Sequence, residues 1–297
     1  MKNLFLILVL LIATNQVSAQ EEKNEVPTNG WNSEGTIQLL FNQSAFNNEW
    51  KGGGTSSIAG NFNLNYNLNY HMDDFSWDNK LLADYGLTKI KDDEFSRKTS
   101  DRLELNSIVG KKLKNSNWYY SWFLNFRTQF SKGYEFSEDP ETIKTRTETT
   151  HFFSPAYLQT GPGMMWKKND DFVINIAPGT ARFIFVDNKF TSVPGYVDGQ
   201  YYGVDQGKSS RFEFGASVSA FLKLKLMESV TMENTANFYS NYLDKPGNID
   251  IDYLMNLQMS INKFLSANLI FQAIYDDNAV GSFQIREVFG LGINYNF

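Results

Sequence analysis

From Ile58 to Met72 every second residue is apolar or glycine, and the positions between read Ala59, Asn61, Asn63, Asn65, Asn67, Asn69 and His71. A beat of two is the signature of a β-strand, because successive side chains leave opposite faces of the backbone. Phe62, Leu64, Tyr66, Leu68 and Tyr70 therefore share one face and the asparagines the other. Globular strands usually run ~5–6 residues. This run is longer, and it exceeds the ~9–11 residues that a tilted strand needs to cross the hydrocarbon of a bilayer.

The same beat recurs along the chain. It predicts twelve strands, near 35–44, 57–72, 74–89, 100–112, 117–131, 153–168, 171–186, 209–226, 228–243, 249–263, 265–277 and 282–297. The connections alternate in length. Longer ones fall at 45–56, 90–99, 132–152, 187–208, 244–248 and 278–281, and tight turns at Asp73, 113–116, 169–170, Met227 and Phe264. An even number of strands, with long loops on one rim and short turns on the other, is the pattern of outer-membrane barrels. Gly161-Pro162-Gly163 and Pro178-Gly179 interrupt two strands. Proline inside a ladder implies a bulge, so the register beyond those points stays open.

The start of the chain supports export. Met1-Lys2-Asn3, the apolar run Leu4–Ala13 and the small residues before Gln20 read as a signal peptide over 1–19, cleaved after Ala19. Its apolar run is too short for a membrane helix. Residues 20–34 are polar and read as a flexible periplasmic lead-in, with the barrel from 35 to 297. The chain has no cysteine, and 27 basic against 33 acidic residues. An acidic chain without a clustered basic patch is a poor nucleic-acid binder. Phe, Tyr and Trp number 25, 15 and 6, although the chain is polar on average. A barrel that turns one strand face to lipid and the other to a wet lumen reconciles the two. Asparagine is short, neutral and hydrogen-bonding, which suits that lumen. The expected fold is thus an all-β, transmembrane, antiparallel up-and-down barrel of about twelve strands in the Gram-negative outer membrane.

The chain ends Gly292-Ile293-Asn294-Tyr295-Asn296-Phe297. Gly292, Tyr295 and Phe297 look like the C-terminal signal that barrel-assembly machinery recognises. Gly290 stands where a polar residue is usual, a small departure.

Several stretches resemble an uncharacterised family of outer-membrane proteins from Bacteroidota, the domain of unknown function numbered three thousand and seventy-eight. They are Asn48-Glu49-Trp50-Lys51-Gly52-Gly53-Gly54, Trp77-Asp78-Asn79, Tyr85-Gly86, Arg97-Lys98-Thr99-Ser100-Asp101 and Thr128-Gln129-Phe130. Further matches are Ser154-Pro155-Ala156-Tyr157-Leu158, Ser210-Arg211-Phe212-Glu213-Phe214-Gly215 and Ser240-Asn241-Tyr242-Leu243-Asp244. The resemblance runs over about 31–297. It implies an outer-membrane location and transfers no reaction, ligand or catalytic residue.

Inward charges gather toward the long-loop rim: Arg102, Glu104, Arg127, Arg211, Glu213, Asp250, Asp252 and Arg286. They fit a mixed-charge constriction that filters polar solutes. They fit equally a salt-bridge network that fills the lumen, because buried charges must be paired. Barrels of about 8 strands are filled by side chains and those of 16–18 hold a channel, so twelve leaves both open. The only histidines are His71, at a tight turn, and His151, near Ser154. A Ser–His hydrolase needs a nucleophile and base in contact on a rigid wall; no partner motif accompanies this pair. Gly52-Gly53-Gly54-Thr55-Ser56 lacks the lysine of a phosphate loop, and Asp276-Asp277-Asn278 lacks the ligand spacing of a calcium loop. Trp77, Trp118, Tyr120, Trp122, Tyr157, Trp166, Tyr242 and Tyr253 fall near strand ends, as interface girdles do. The expectation is a non-enzymatic barrel without metal or cofactor, whose partners are outer-membrane lipids, the assembly machinery and small polar solutes. A narrow pore leads; a closed structural or adhesion barrel is the alternative, and a lipid hydrolase the remote one.

Overall fold

The computed structural model describes residues 29–297 except 48, 50, 52, 53 and 139–143. The expected signal peptide over 1–19 and most of the expected lead-in lie outside the described residues. Twelve strands close an antiparallel barrel: β1 (Gly30–Ser44), β2 (Ser57–Met72), β3 (Phe75–Ile90), β4 (Arg97–Lys112), β5 (Trp118–Thr128), β8 (Ala156–Asn169), β9 (Phe172–Phe185), β10 (Ser210–Met227), β11 (Val230–Asn241), β12 (Asp250–Ser260), β13 (Leu265–Tyr275) and β14 (Gln284–Asn296). Each pairs with its sequence neighbours, and β1 closes on β14. β1 starts at Gly30, five residues earlier than the hydropathy pattern indicates, because Gly30–Glu34 pair with Asn67–His71. No helix of the described residues is long and apolar enough to cross a membrane.

The two faces sort as the beat requires. Asn61 is buried toward the lumen, whereas Phe62 is exposed on the outside. On β14, Phe289, Leu291, Ile293 and Tyr295 are all exposed, while Gly290, Gly292 and Asn294 between them are buried. An apolar outer belt around a polar interior is the reverse of a soluble sandwich, and it is what hydrocarbon demands.

The turn rim is made of short turns. Asp73 and Asn115 adopt positive φ there, which short polar side chains tolerate. The loop rim carries structure that strand periodicity does not reveal. Between β5 and β8 a separate hairpin forms from β6 (Gly133–Glu138) and β7 (Lys144–Thr150). Between β9 and β10 stands one helical turn, α1 (Asn188–Thr191), capped by Asp187. Tyr157, Ile184, Val186 and Val204 pack together at this rim, with Tyr201 and Tyr202 against them.

Pro178-Gly179 is a bulge, since β9 carries one extra residue there and its ladders with β8 and β10 both shift register, whereas Gly161-Pro162-Gly163, expected to be a second bulge, stays in unbroken register with β5. A Cβ on Gly161 would lie 2.4 Å from Gly179 O. Glycine is what lets the two backbones approach there. Tyr157 departs from the girdle expectation. It is buried beside the lumen charges, since its strand position turns it inward with Gln159.

Candidate functional site

Seven of the eight predicted charges fall into two clusters inside the barrel. In the first, Arg102 of β4 pairs with Glu104 on its own strand and with Asp252 of β12, at 3.0 Å. Arg127 of β5 pairs with the same Asp252. Gln272 donates to Asp252 at 3.2 Å, and Asn125 to Glu104 at 2.7 Å. Glu104 is 2% exposed and Asp252 8%. In the twelve-strand ring β4 and β12 stand six places apart, so the Arg102–Asp252 pair joins opposite walls. Arg182 of β9 centres the second cluster. It pairs with Asp250, with Asp276 at 3.3 Å and with Glu213 at 3.6 Å. Arg211 holds Glu213 at 2.8 Å and Asp244 at 3.0 Å. Tyr157 sits between the clusters, with the Arg127 and Arg182 guanidinium groups 4.8 Å and 5.1 Å from its ring. Arg286 stands apart, paired with Asp84 of β3 at 2.7 Å.

Arg182 and Asp276 are absent from the sequence-derived set. The reason for Arg182 is the bulge. Asn175 and Ala177 line the interior at odd positions, but after Pro178-Gly179 the buried side chains are Thr180 and Arg182. The proline marks the place where parity changes, and strict alternation carried past it would point Arg182 at lipid.

Nearer the turn rim, opposite walls meet again. Asn65 of β2 donates to Glu233 of β11 at 3.3 Å, and the Lys80 ammonium lies 4.4 Å from the Phe221 ring. The residual space is a set of small cavities. A loop-side vestibule of about 260 Å³ is lined by Arg102, Arg127, Tyr202 and Arg286. A central cavity of about 120 Å³ is bounded by Lys80, Arg102 and Arg286. A turn-side cavity of about 300 Å³ is lined by Asn67, Lys80, Phe221 and Glu233.

Above the lumen the long loops are tied together. Tyr201 Oη donates to Thr149 O at 2.6 Å, and Arg211 donates to Gly203 O at 2.8 Å. Glu148 of β7 receives Lys132 at 2.8 Å and Lys189 at 2.7 Å. The bonds from Lys132 and then Lys189 hold its carboxyl down at about 2. Burial pushes the Tyr201 hydroxyl up. His151 contacts Asp187 through Nε2 at 3.0 Å and Phe152 O through Nδ1 at 2.7 Å. Ser154 is fully buried, and its Oγ accepts from Asp187 N at 2.9 Å rather than meeting the imidazole. The backbone bond from Lys189 and the His151 contact keep Asp187 ionised by lowering its carboxyl. This His–Asp contact fastens a loop. At the turn rim His71 lies 3.7 Å from Asp78.

The C-terminal residues close the barrel. Phe297 and Gly35 exchange backbone bonds of 2.8 Å and 3.0 Å. The Phe297 ring covers Gly35 so closely that a Cβ there would lie 2.5 Å from it. Gly292 and Tyr295 pair with Leu40 and Ile37.

Residues 41–134 match a family model described as protein of unknown function, DUF3078. This segment carries the DUF3078 pattern. It spans the end of β1 through β5 to the start of β6, including Asp84, Arg102, Glu104 and Arg127. Arg182, Arg211, Glu213, Asp250, Asp252, Asp276 and Arg286 lie beyond the match. No curated protein matches the sequence. Among solved structures, an outer-membrane channel of Pseudomonas putida F1 is 11% identical over 94% of this chain and 98% of its own, with a TM-score of 0.39. Outer membrane phospholipase A of Escherichia coli is 10% identical over 92% and 94%, with a TM-score of 0.36. The outer membrane channel DcaP of Acinetobacter baumannii is 10% identical over 90% and 97%, with a TM-score of 0.31.

Proposed function

We propose a closed outer-membrane barrel that acts from its extracellular side as a structural or adhesive platform, without catalysis. The reading rests on contact between opposite walls. Arg102 and Arg127 reach Asp252 across the lumen, and Asn65 reaches Glu233 nearer the turn rim. These side chains stand in the path of a solute moving along the axis. In the outer membrane the long loops face outward and the tight turns face the periplasm. The loop rim is then a knitted surface, with β6–β7 held to the 187–208 loop through Tyr201, Lys189 and Glu148. Lipids surround the apolar belt. Gly292, Tyr295 and Phe297 serve assembly by bringing β14 to β1. Deleting residues 134–148 is expected to abolish surface binding or envelope phenotypes while leaving the barrel folded. Unchanged phenotypes after deletion would refute the platform role.

A second reading is selective passage of small polar solutes. The central cavity shares Asp84, Arg102 and Arg286 with the loop-side vestibule, and Lys80 and Glu233 with the turn-side cavity. Swelling of proteoliposomes in glycine, arabinose or glucose separates the readings: the closed barrel leaves them unswollen, and rapid swelling supports passage.

A further inference from the structure

The β1/β14 seam is paired along only part of its length. Its ladder ends at Phe41↔Leu291, although β14 stays paired to β13 as far as Gln284 and β1 stays paired to β2 as far as Ser44. Above Leu291 the two strands are bridged, among the described residues, by Asn42 Nδ2 donating to Phe289 O at 3.1 Å. A cavity of about 430 Å³ occupies the opening, within the ~300–1,000 Å³ range of small-molecule sites. Phe41, Ile285 and Phe289 border it and are exposed on the lipid-facing side. Asn61, Thr99 and Arg286 border it from the lumen. The cavity therefore connects the outer belt to the interior through the wall.

Arg286 supplies the chemistry. Its Nη2 pairs with Asp84, but Nε and Nη1 are buried and meet no hydrogen-bond acceptor among the described residues. Buried donors without an acceptor are costly, and a guanidinium favours carboxylate oxygens. The same side chain borders the loop-side vestibule and the central cavity. Glu287, the neighbouring acid, leaves the opposite face of the strand toward the outside, where it disfavours an anionic head remaining at the mouth.

We propose that this opening is a lateral binding site for a single-chain amphiphile bearing a carboxylate, taken from the outer leaflet. The chain lies along Phe41, Ile285 and Phe289. The carboxylate passes through the wall and accepts from Arg286. An apolar approach ending in the Arg286 cation suits a single-chain acid. The site goes beyond the closed-platform reading and does not depend on it.

The test uses the full folded chain in nanodiscs, with palmitate carrying a diazirine at the chain end. Labelling is expected on peptides containing Phe41, Ile285 or Phe289. Labelling spread evenly around the belt would overturn the site. In parallel, radiolabelled palmitate should bind at least tenfold more tightly than hexadecanol, and Arg286→Met should remove that preference. Arg286→Lys, which keeps the charge, should retain part of it. Equal binding of acid and alcohol to the native chain would overturn the carboxylate assignment; should Arg286→Met not fold, this native comparison and the labelling still decide. A native barrel that conducts solutes yet labels at Phe41 and Phe289 would remove the closed reading and leave this site standing.

Discussion

Two regions of the barrel wall behave in opposite ways. At the level of Arg102, strands on opposite walls are joined, because β4 and β12 meet through a 3.0 Å ion pair. At the level of Arg286, strands that are neighbours in the ring part company, because the β1/β14 ladder has stopped at Phe41↔Leu291. The β2/β3 junction shows what an uninterrupted wall looks like: its ladder runs without a shift from Ser57↔Ile90 to Met72↔Phe75. All three regions share the same in–out alternation. Alternation therefore decides which side chains face lipid, and it does not decide where the wall is sealed or the axis blocked. Those properties come from side chains: the shared Asp252 on the axis, and Gln38, Asn42 and Phe297 at the seam.

The largest expected effect tests the axial contact. Asp252→Ala leaves Arg127, part-buried, without its carboxylate partner and Arg102 with Glu104 alone. Removing one partner of a buried pair costs about 3–5 kcal/mol. Urea unfolding followed by tryptophan fluorescence in lipid vesicles should show that loss. The fourfold change Arg102→Met, Arg127→Met, Glu104→Gln and Asp252→Leu should recover most of it, because no ionised group of the cluster is then left without its partner. A loss below 1 kcal/mol for the single change would mean that the wall ladders alone hold the barrel.

The next effect sharpens the seam. Gln38 is 3% exposed and donates to Asn268 at 3.0 Å and Asn294 at 2.9 Å, so it ties β1 to β13 and β14. Gln38→Ala leaves both amide oxygens without that donor, a cost of about 1–3 kcal/mol. Hydrogen exchange should quicken at Leu39 to Phe41 and at Leu291 to Ile293, while β2/β3 amides keep their protection. Uniform quickening around the ring would show that the seam is no weaker than the wall.

The smallest effect concerns the cap on the loop rim. The Glu148 carboxyl titrates ordinarily near 4.5 and is held down at about 2 by Lys132 and Lys189. Its folded value lies below its unfolded one. Its contribution is therefore fully present above about pH 4.5 and is lost as the pH falls through about 2. Protease access to the β6–β7 hairpin should rise over that window in the native chain. Glu148→Gln should abolish that pH response, leaving access at the acid-limit level already at pH 7.

Much of this molecule is legible in its sequence where one rule operates without interruption. Asn61 to Asn69 and Phe62 to Tyr70 locate β2 and both its faces, because lipid on one side and polar space on the other tolerate no slip. Pro178-Gly179 shows where the rule fails, and Arg182 is hidden there because the bulge reverses its face; Gly161-Pro162-Gly163 keeps the alternation, with Tyr157 before it and Met165 after it both buried. The cap is hidden for another reason. Lys144–Thr150 is polar throughout, so β7 carries no apolar beat to betray it. The eight lumen charges named from alternation do enter the barrel, but their pairing is set by strand heights across the ring. Asp252 facing both Arg102 and Arg127 is such a case, since a list of strands contains no distance between opposite walls. The stretch of β14 not paired to β1 is likewise invisible: Glu287 outward and Val288 inward interrupt the beat there, but an interruption on one strand does not say which neighbour that strand has lost.

The most direct measurement is the single-channel conductance of the purified full chain in planar bilayers, beside the Asp252→Ala chain. With opposite walls joined at Asp252, the native barrel should pass no steady current at moderate voltage, and Asp252→Ala should show discrete openings. Steady ohmic conductance from the native chain, unchanged by Asp252→Ala, would contradict closure of the axis by these contacts.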